Sequence, residues 1–374
     1  MVKVALVLGM ITCILSCSVR KTDSLLSYSL ENLSAIDLDT SYPLDSLVEE
    51  MEFIPLETTD SSLINEVTFL KESADYFFVY SNKNSKLLKF DKNGKYLSTI
   101  SNKGQGPEEY LSVKDLMLDN ASKELYIMDY LGRKMKVFGF DGIFHRSLPL
   151  PDDFAYTNSL LSLEDKAIYY VSSNNSVQMD FLKHDMNTLE FIPYSHRERE
   201  MDKGEYFVGQ TLFAVTETNP FVYHYFNDTV FQVTSDGLVP HHKLVLGDRT
   251  LSWEDFKADA FYNPRPQIHK IQVWGLEMVK DKMCVFYSLS KYKGGKQPVK
   301  LMAVYTLGKQ GIEPHVNWTS DRFIPIMHGA GFQSGYQRTS LLRSVLPEEL
   351  DEKSRKEYSI KIDDNPIILK YYLK

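Results

Sequence analysis

Cysteine is the scarcest informative residue in this 374-residue chain: there are three, at positions 13, 17 and 284. With Cys13 in an apolar leader and Cys17 at its end, only Cys284 remains for the folded part, so an intramolecular disulfide is excluded. A basic stretch is also missing. The net charge is −8, the pI is near 5.7, and no Lys/Arg-rich run interrupts the acidic balance, which argues against a nucleic-acid partner. No HExxH or GxSxG occurs, and the glycine-rich "GQGP" at 104–107 lacks the Lys-Ser/Thr of a phosphate loop. Helical periodicity is nearly absent as well. Only "PEELDEKSRKEY" (347–358) shows it.

What is present is aromatic: 23 Tyr and 21 Phe, a bias expected where strands dominate. The leader "MVKVALVLGMITCILSC" has one charge, Lys3, and then an apolar run too short to span a bilayer, so it reads as a signal peptide. Ile14-Leu15-Ser16-Cys17 resembles a bacterial lipobox, which makes Cys17 the expected site of lipidation and residues 1–16 the excised part. Removal of that part takes Lys3 with it and leaves 41 basic against 50 acidic residues, a charge of −9. Residues 17–35 then read as a polar tether and 36–374 as a single domain. No acidic cluster follows Cys17 in "SVRKTDS", which favours an outer-membrane lipoprotein facing the periplasm.

Internal repetition decides the fold. "YFFVYSNKNSKLLKFDKNGKYL" (76–97) lies over "ELYIMDYLGRKMKVFGFDGIFH" (124–145) without a gap at an offset of 48, Gly94 falling on Gly142. Further copies begin at "AIYYVSSNNSVQMDFLKHD" (167–185), "DTVFQVTSDGLV" (228–239) and "KMCVFYSLSKYKGGKQPVKLMAVYTLGKQG" (282–311). Each copy is strand–turn–strand, and with the flanking runs each unit has four strands. Four strands every 40–50 residues predict an all-β, six-bladed β-propeller of antiparallel blades. The sixth blade is expected to combine "EEMEFIPLE" (49–57) with "NPIILKYYLK" (365–374), closing the ring.

Four segments carry a family resemblance: "FIPLETTDSSLI" (53–64), "FDKNGKYLSTISNKGQGPEEY" (90–110), "DTVFQVTSDG" (228–237) and "DDNPIILKYYLK" (363–374). They resemble a largely uncharacterised family of bacterial lipoproteins, six-bladed propellers similar to NHL-repeat proteins. The family's loop commonly reads Gly-x-Gly-Pro-Gly-Glu-Tyr, and here Glu108 replaces the third glycine. That position must therefore avoid positive φ or bear strain.

Blade geometry puts the link "SNKGQGPEEYLSV" (101–113) and the turn "YLGRK" (130–134) on one face, the face propellers generally use for ligands. Lys103, Glu108, Glu109, Tyr110, Tyr130 and Arg133 are candidates there, with Glu108 expected in solvent and Tyr110 between blades. Glu205-Tyr206 echoes Glu109-Tyr110 at 96 residues, which favours a structural role for that pair. Two long connections, 247–270 and 320–338, supply Arg265, His269, Arg322, His328, Tyr336 and Arg338, suited to a sugar or carboxylated ligand. His241 and His242, adjacent on a strand, are expected to point to opposite faces and not to share a metal. Asp141, Asp236 and Asp363-Asp364 could reach Ca²⁺ only without the dense Asp/Asn/Gly loop that calcium prefers, so no cofactor is expected.

The functional expectation is a lipid-anchored monomeric module that binds a glycan, a peptide or an envelope protein. The alternative is a propeller hydrolase or lyase with a His/Arg/Tyr or metal site at the channel mouth. Replacing Cys17 by Ala is expected to abolish incorporation of labelled fatty acid and to move the protein from the detergent to the aqueous phase on partitioning.

Overall fold

The computed structural model describes residues 26–29, 47–151, 158–162, 167–171, 179–196, 212–215, 220–223, 228–234, 236–246, 249–250, 270–289, 299–306, 316–317, 333–334 and 339–374. Two strands precede the repeats, β1 (Leu26–Ser29) and β2 (Val48–Pro55). Sheet I follows: β3 (Phe69–Glu72), β4 (Tyr76–Ser81), β5 (Lys86–Asp91) and β6 (Tyr96–Asn102). Sheet II holds β7 (Val113–Asp119), β8 (Glu124–Asp129), β9 (Lys134–Gly139) and β10 (Phe144–Pro149). Its last three strands start at 124, 134 and 144, each 48 residues after its counterpart at 76, 86 and 96.

Sheet III contains β11 (Asn158–Ser162), β12 (Ala167–Val171), β13 (Met179–Asp185) and β14 (Phe191–His196). Sheet IV contains β15 (Leu212–Val215), β16 (Pro220–Tyr223), β17 (Thr229–Thr234) and β18 (Gly237–Val245). Sheet V contains β19 (Ile271–Val279), β20 (Lys282–Leu289), β21 (Val299–Thr306) and β22 (Val316–Asn317). After β23 (Gln333–Ser334) come β24 (Leu341–Val345), the short helix α1 (Glu352–Glu357) and β25 (Ile367–Leu373). Within each sheet, consecutive repeat strands pair antiparallel.

Three pairings cross this sequential plan. β2 lies antiparallel on β25, with Phe53 opposite Leu369, and β24 takes the other edge of β25 to complete sheet VI. β23 runs parallel to β7, Gln333 opposite Leu118. β1, inside the segment read as a tether, runs parallel to β18 with Leu26 opposite His242.

Alternation along each strand supplies two apolar faces, because successive side chains point opposite ways. Phe77 and Val79 of β4 pack with Ile54, Leu342 and Ile368 of sheet VI. Phe78 and Tyr80, the residues between and after, pack with Leu116, Leu125 and Ile127 of sheet II. Sheets II, III and IV share a cluster that includes Met117, Tyr169, Tyr170 and Val222. Sheets IV and V meet through Tyr223, Val230, Leu276 and Tyr287, and sheets V and VI through Cys284, Phe286, Leu341 and Ile367. Cys284 is thus a buried packing residue that forms no disulfide.

The turns between the third and fourth strands explain the recurring glycines. Asp91 accepts the backbone N–H groups of Asn93 and Lys95, and Gly94 between them sits at φ +82°. Its carbonyl accepts Glu57 N–H at 2.8 Å, and a Cβ there would lie 2.1 Å from the Pro55 carbonyl oxygen. Gly142, its counterpart at φ +89°, has only Ile100 Cδ1 at 3.4 Å. Both positions disfavour a side chain through φ, but only Gly94 also presses on a neighbouring strand. Gly142→Ala is therefore expected to cost about 1 kcal/mol in denaturant unfolding and Gly94→Ala clearly more, roughly 2–4 kcal/mol.

Candidate ligand face

The link between sheets I and II is built around Tyr110. Its ring is fully buried, edge-on to Tyr80 at 5.8 Å, and its hydroxyl donates to the Ser85 carbonyl at 2.7 Å. Burial pushes the phenol pKa well above its ordinary value. Glu109 folds back, its carboxylate accepting Gly106 N–H at 2.8 Å, and occupies the space a Cβ on Gly104 would need, 1.9 Å away. The Glu-Tyr pair is structural. Ser101 donates to the Glu108 carbonyl and Lys136 to that of Pro107, both at 2.7 Å. Glu108 itself is exposed and is not among the residues at positive φ, so the missing glycine costs the loop nothing.

The turn 130–133 is joined to this link by one buried carboxylate. Asp129 accepts N–H groups from Leu111 at 3.1 Å, Ser112 at 2.9 Å and Gly132 at 3.1 Å. Ser112 returns the contact, its carbonyl accepting Tyr130 N–H and its hydroxyl accepting Leu131 N–H, both at 3.0 Å. Link and turn form one hydrogen-bonded unit. From it project the exposed side chains of Lys103, Glu108, Leu131 and Arg133, while Tyr130 is half-buried.

Arg133 has Ser85 as its counterpart 48 residues earlier. Their backbones are nonetheless the same: φ is +53° at Arg133 and +52° at Ser85, and each N–H returns to the residue three before it. The turn geometry is therefore the repeat's own, and only the guanidinium is new. Asp129 was not foreseen, since its counterpart is Ser81. In sheet I the same task is divided: Ser81 Oγ lies 2.9 Å from Asn84 Oδ1, which accepts Asn65 N–H at 2.8 Å.

Cys17, Glu205, Tyr206, Arg265, His269, Arg322, His328, Tyr336 and Arg338 lie outside the described residues. The described part of the 320–338 connection, β23, pairs at Leu118–Asp119, the end of β7 remote from the 103–112 link. There β23 takes the edge of β7, the first strand of sheet II, that β8 leaves unpaired.

Away from this face, Glu124 is held by Arg146 through two contacts, at 2.6 Å and 3.0 Å, by His145 at 3.0 Å and by the Tyr126 hydroxyl at 2.8 Å. Burial alone would raise its pKa, but hydrogen bonds from Arg146, His145 and Tyr126 outweigh it and bring the group down to about 2. Such a carboxylate stays ionised and cannot serve as a proton donor near neutrality. Two of the acids weighed for calcium cap turns: Asp141 accepts Ile143 N–H and Asp364 accepts Lys361 N–H. Among the described residues no group of three or more His, Cys, Asp or Glu is placed to hold an ion.

One expectation is overturned. His241 and His242 do not point apart: their Nδ1 atoms are 2.6 Å from each other. Phe231 pairs with Pro240 and its neighbour Val230 with His242, so His241 is the extra residue of a bulge. Pro240 has no N–H to give the ladder, which favours the irregularity there. Burial lowers the pKa of both rings, and that of His242 falls to about 4 with His241 beside it.

The depressed Glu124 group implies a pH signature. Its stabilisation is complete above the ordinary carboxyl value of 4.5 and is lost as pH falls from there towards about 2. Arg146→Met is expected to cost about 1 kcal/mol at pH 7, the scale of a partly exposed ion pair, and almost nothing near pH 2. Urea midpoints at several pH values check this.

Comparison with known proteins places these features in context. A Bacteroides fragilis protein classed as exported superposes with a TM-score of 0.70 at 19% identity, over 94% of this chain and 100% of its own. A member of the DUF4221 family from Bacteroides vulgatus gives 0.60 at 13% identity, over 88% and 97%. These likenesses show a shared fold. No curated protein matches the chain. No helix among the described residues is long and apolar enough to cross a membrane. The match to a family is nearly end to end, over residues 28–372, and the chain belongs to the family described as Domain of unknown function (DUF4934).

Proposed function

We propose that this chain is a lipid-anchored envelope protein whose six sheets are the blades of one closed β-propeller, and that it works as a binding module. The order in which sheets share buried clusters supports the ring: VI with I, I with II, II with III and IV, IV with V, and V with VI. The first strands of neighbouring sheets approach one another, β3 to β7, β7 to β11 and β15 to β19, as strands lining a common axis do. Sheet VI, with β2 from before the first repeat and β25 from after the last, supplies the closure. The leader and Cys17 support an anchor in the outer membrane, with the domain on its periplasmic side.

The observation that carries the binding reading is the hydrogen-bonded link–turn unit of sheets I and II. It fixes its backbone internally while presenting Lys103, Glu108, Leu131 and Arg133 to solvent. A rigid backbone with exposed charged and apolar side chains loses little entropy on binding. Two cations beside an exposed leucine suit a carboxylated glycan, an acidic peptide or a matching patch on an envelope protein.

Glycan and peptide arrays probed with the mature chain should give hits that Lys103→Ala/Arg133→Ala weakens by roughly tenfold or more. Arrays without hits, or hits indifferent to that double variant, would remove this face from consideration. Turnover of an arrayed compound that disappears in His269→Ala or His328→Ala would replace the binding reading with the hydrolase-or-lyase one.

A further inference from the structure

The N-terminal segment is stitched to the domain close to Cys17. β1 runs parallel to β18 and adds a fifth strand to the outer edge of sheet IV. Its first residue, Leu26, stands nine positions after Cys17. Nine residues reach about 30 Å at full extension, whatever conformation they adopt. A compact domain of this length is roughly 50 Å across. A lipid on Cys17 therefore does not leave the molecule free to turn any side towards the bilayer. The outer edge of sheet IV has to stay within that short reach.

The direction of β1 selects a face as well. With Leu26 opposite His242 and Ser29 opposite Val245, it enters from the side on which β17 turns into β18 and runs away from it. That end of sheet IV corresponds to the Asp91–Gly94 turn of sheet I and the Asp141–Gly142 turn of sheet II. Both turns lie at the opposite strand ends from the 103–112 link. At or beside these turns three consecutive sheets expose an apolar side chain: Ile143 of sheet II at 62%, Leu189 of sheet III at 52% and Val239 of sheet IV at 47%. In sheet I the counterpart of Ile143 is Lys95, so the row stops there. An isolated exposed leucine is ordinary surface, but three at matching turns, on the face where β1 enters, make a docking surface. Asp141, Asp185 and Asp236 share these turns, so apolar contact and not charge attraction has to hold it, which suits a zwitterionic headgroup layer.

We propose that this turn face of sheets II to IV rests on the bilayer that carries the anchor, tilted towards the outer edge of sheet IV. The order of shared clusters puts sheet IV across the ring from sheet I. The link–turn unit of sheets I and II is then turned away from the lipid, and a ligand meets Lys103 and Arg133 from the aqueous side. The inference rests on the proposed ring and anchor and adds an orientation to them. The short reach from Cys17 to β1 brings Ile143, Leu189 and Val239 to the lipid surface.

The mature chain is to be coupled through Cys17 to a maleimide lipid in phosphatidylcholine vesicles; Cys284 is fully buried and does not compete. Supplying the lipid chemically makes the result independent of whether a cell acylates Cys17, which the Cys17→Ala experiment decides separately. A fluorescent amino acid replaces Asn187 on the turn face or Gln105 on the link, both exposed, and energy transfer to a headgroup acceptor is measured. Transfer from Asn187 should exceed that from Gln105 by about twofold or more, since the ends of a six-residue strand stand about 20 Å apart. Ile143→Asp/Leu189→Asp/Val239→Asp changes exposed side chains only, so its circular dichroism should match the unaltered chain, and it should remove most of that difference. Equal transfer from the two positions, a larger signal from Gln105, or a difference untouched by the triple variant would overturn the proposal. So would a difference that disappears when each vesicle carries a single chain, which would assign the surface to a second copy.

Discussion

Sheet VI depends on a meeting of sequence-distant segments, and the rest of the architecture leans on it. β25 accepts β2 on one edge and β24 on the other. Asn365, just before β25 and 1% exposed, accepts Ile64 N–H across a separation of 301 residues, and its amide donates to the carbonyls of Glu57 and Ser62. Within β25, the Lys370 ammonium reaches the fully buried carboxylate of Glu72 in sheet I at 2.9 Å, and Lys92 contacts the same group. A buried anion with two cations is costly to desolvate and costlier to leave unpaired, so losing either cation would cost the seam more than the intact contact contributes.

The same economy of means recurs in the link between sheets I and II, where conformation repeats but residues do not. Asp129 alone does what Ser81 and Asn84 do together one repeat earlier. Ser85 and Arg133 share a left-handed backbone although one is a small hydroxyl and the other a long cation. What recurs at 48 residues is a pattern of hydrogen-bonding needs, and chemically different side chains meet it.

How far the sequence could be read follows from the same physics. The strands of sheets I and II, and the glycines at 94 and 142, were legible because both sheet faces are buried and the turns require positive φ. Tyr110 between sheets and Glu108 in solvent were legible for the same reason. The pairing of β1 with β18 was not, since "LSYS" carries no apolar pattern long enough to stand out from a tether. Nor was the rigid role of Asp129, whose partners are backbone N–H groups that any sequence supplies. The histidine pair was misread by assuming unbroken alternation, and Pro240 was the residue that signalled otherwise.

The position of β25 bears on how such a chain is made. Because β25 is the middle strand of its sheet, neither β2 nor β24 has its partner until residues 367–373 have been synthesised. Until then β2 must wait with an open edge while every intervening sheet arrives. A chain cut short before residue 365 would lose the Asn365 clasp and the Lys370 contact together, and would present two unpaired edges for proteases or chaperones to recognise. Formation of sheet VI therefore waits on residues 365–373.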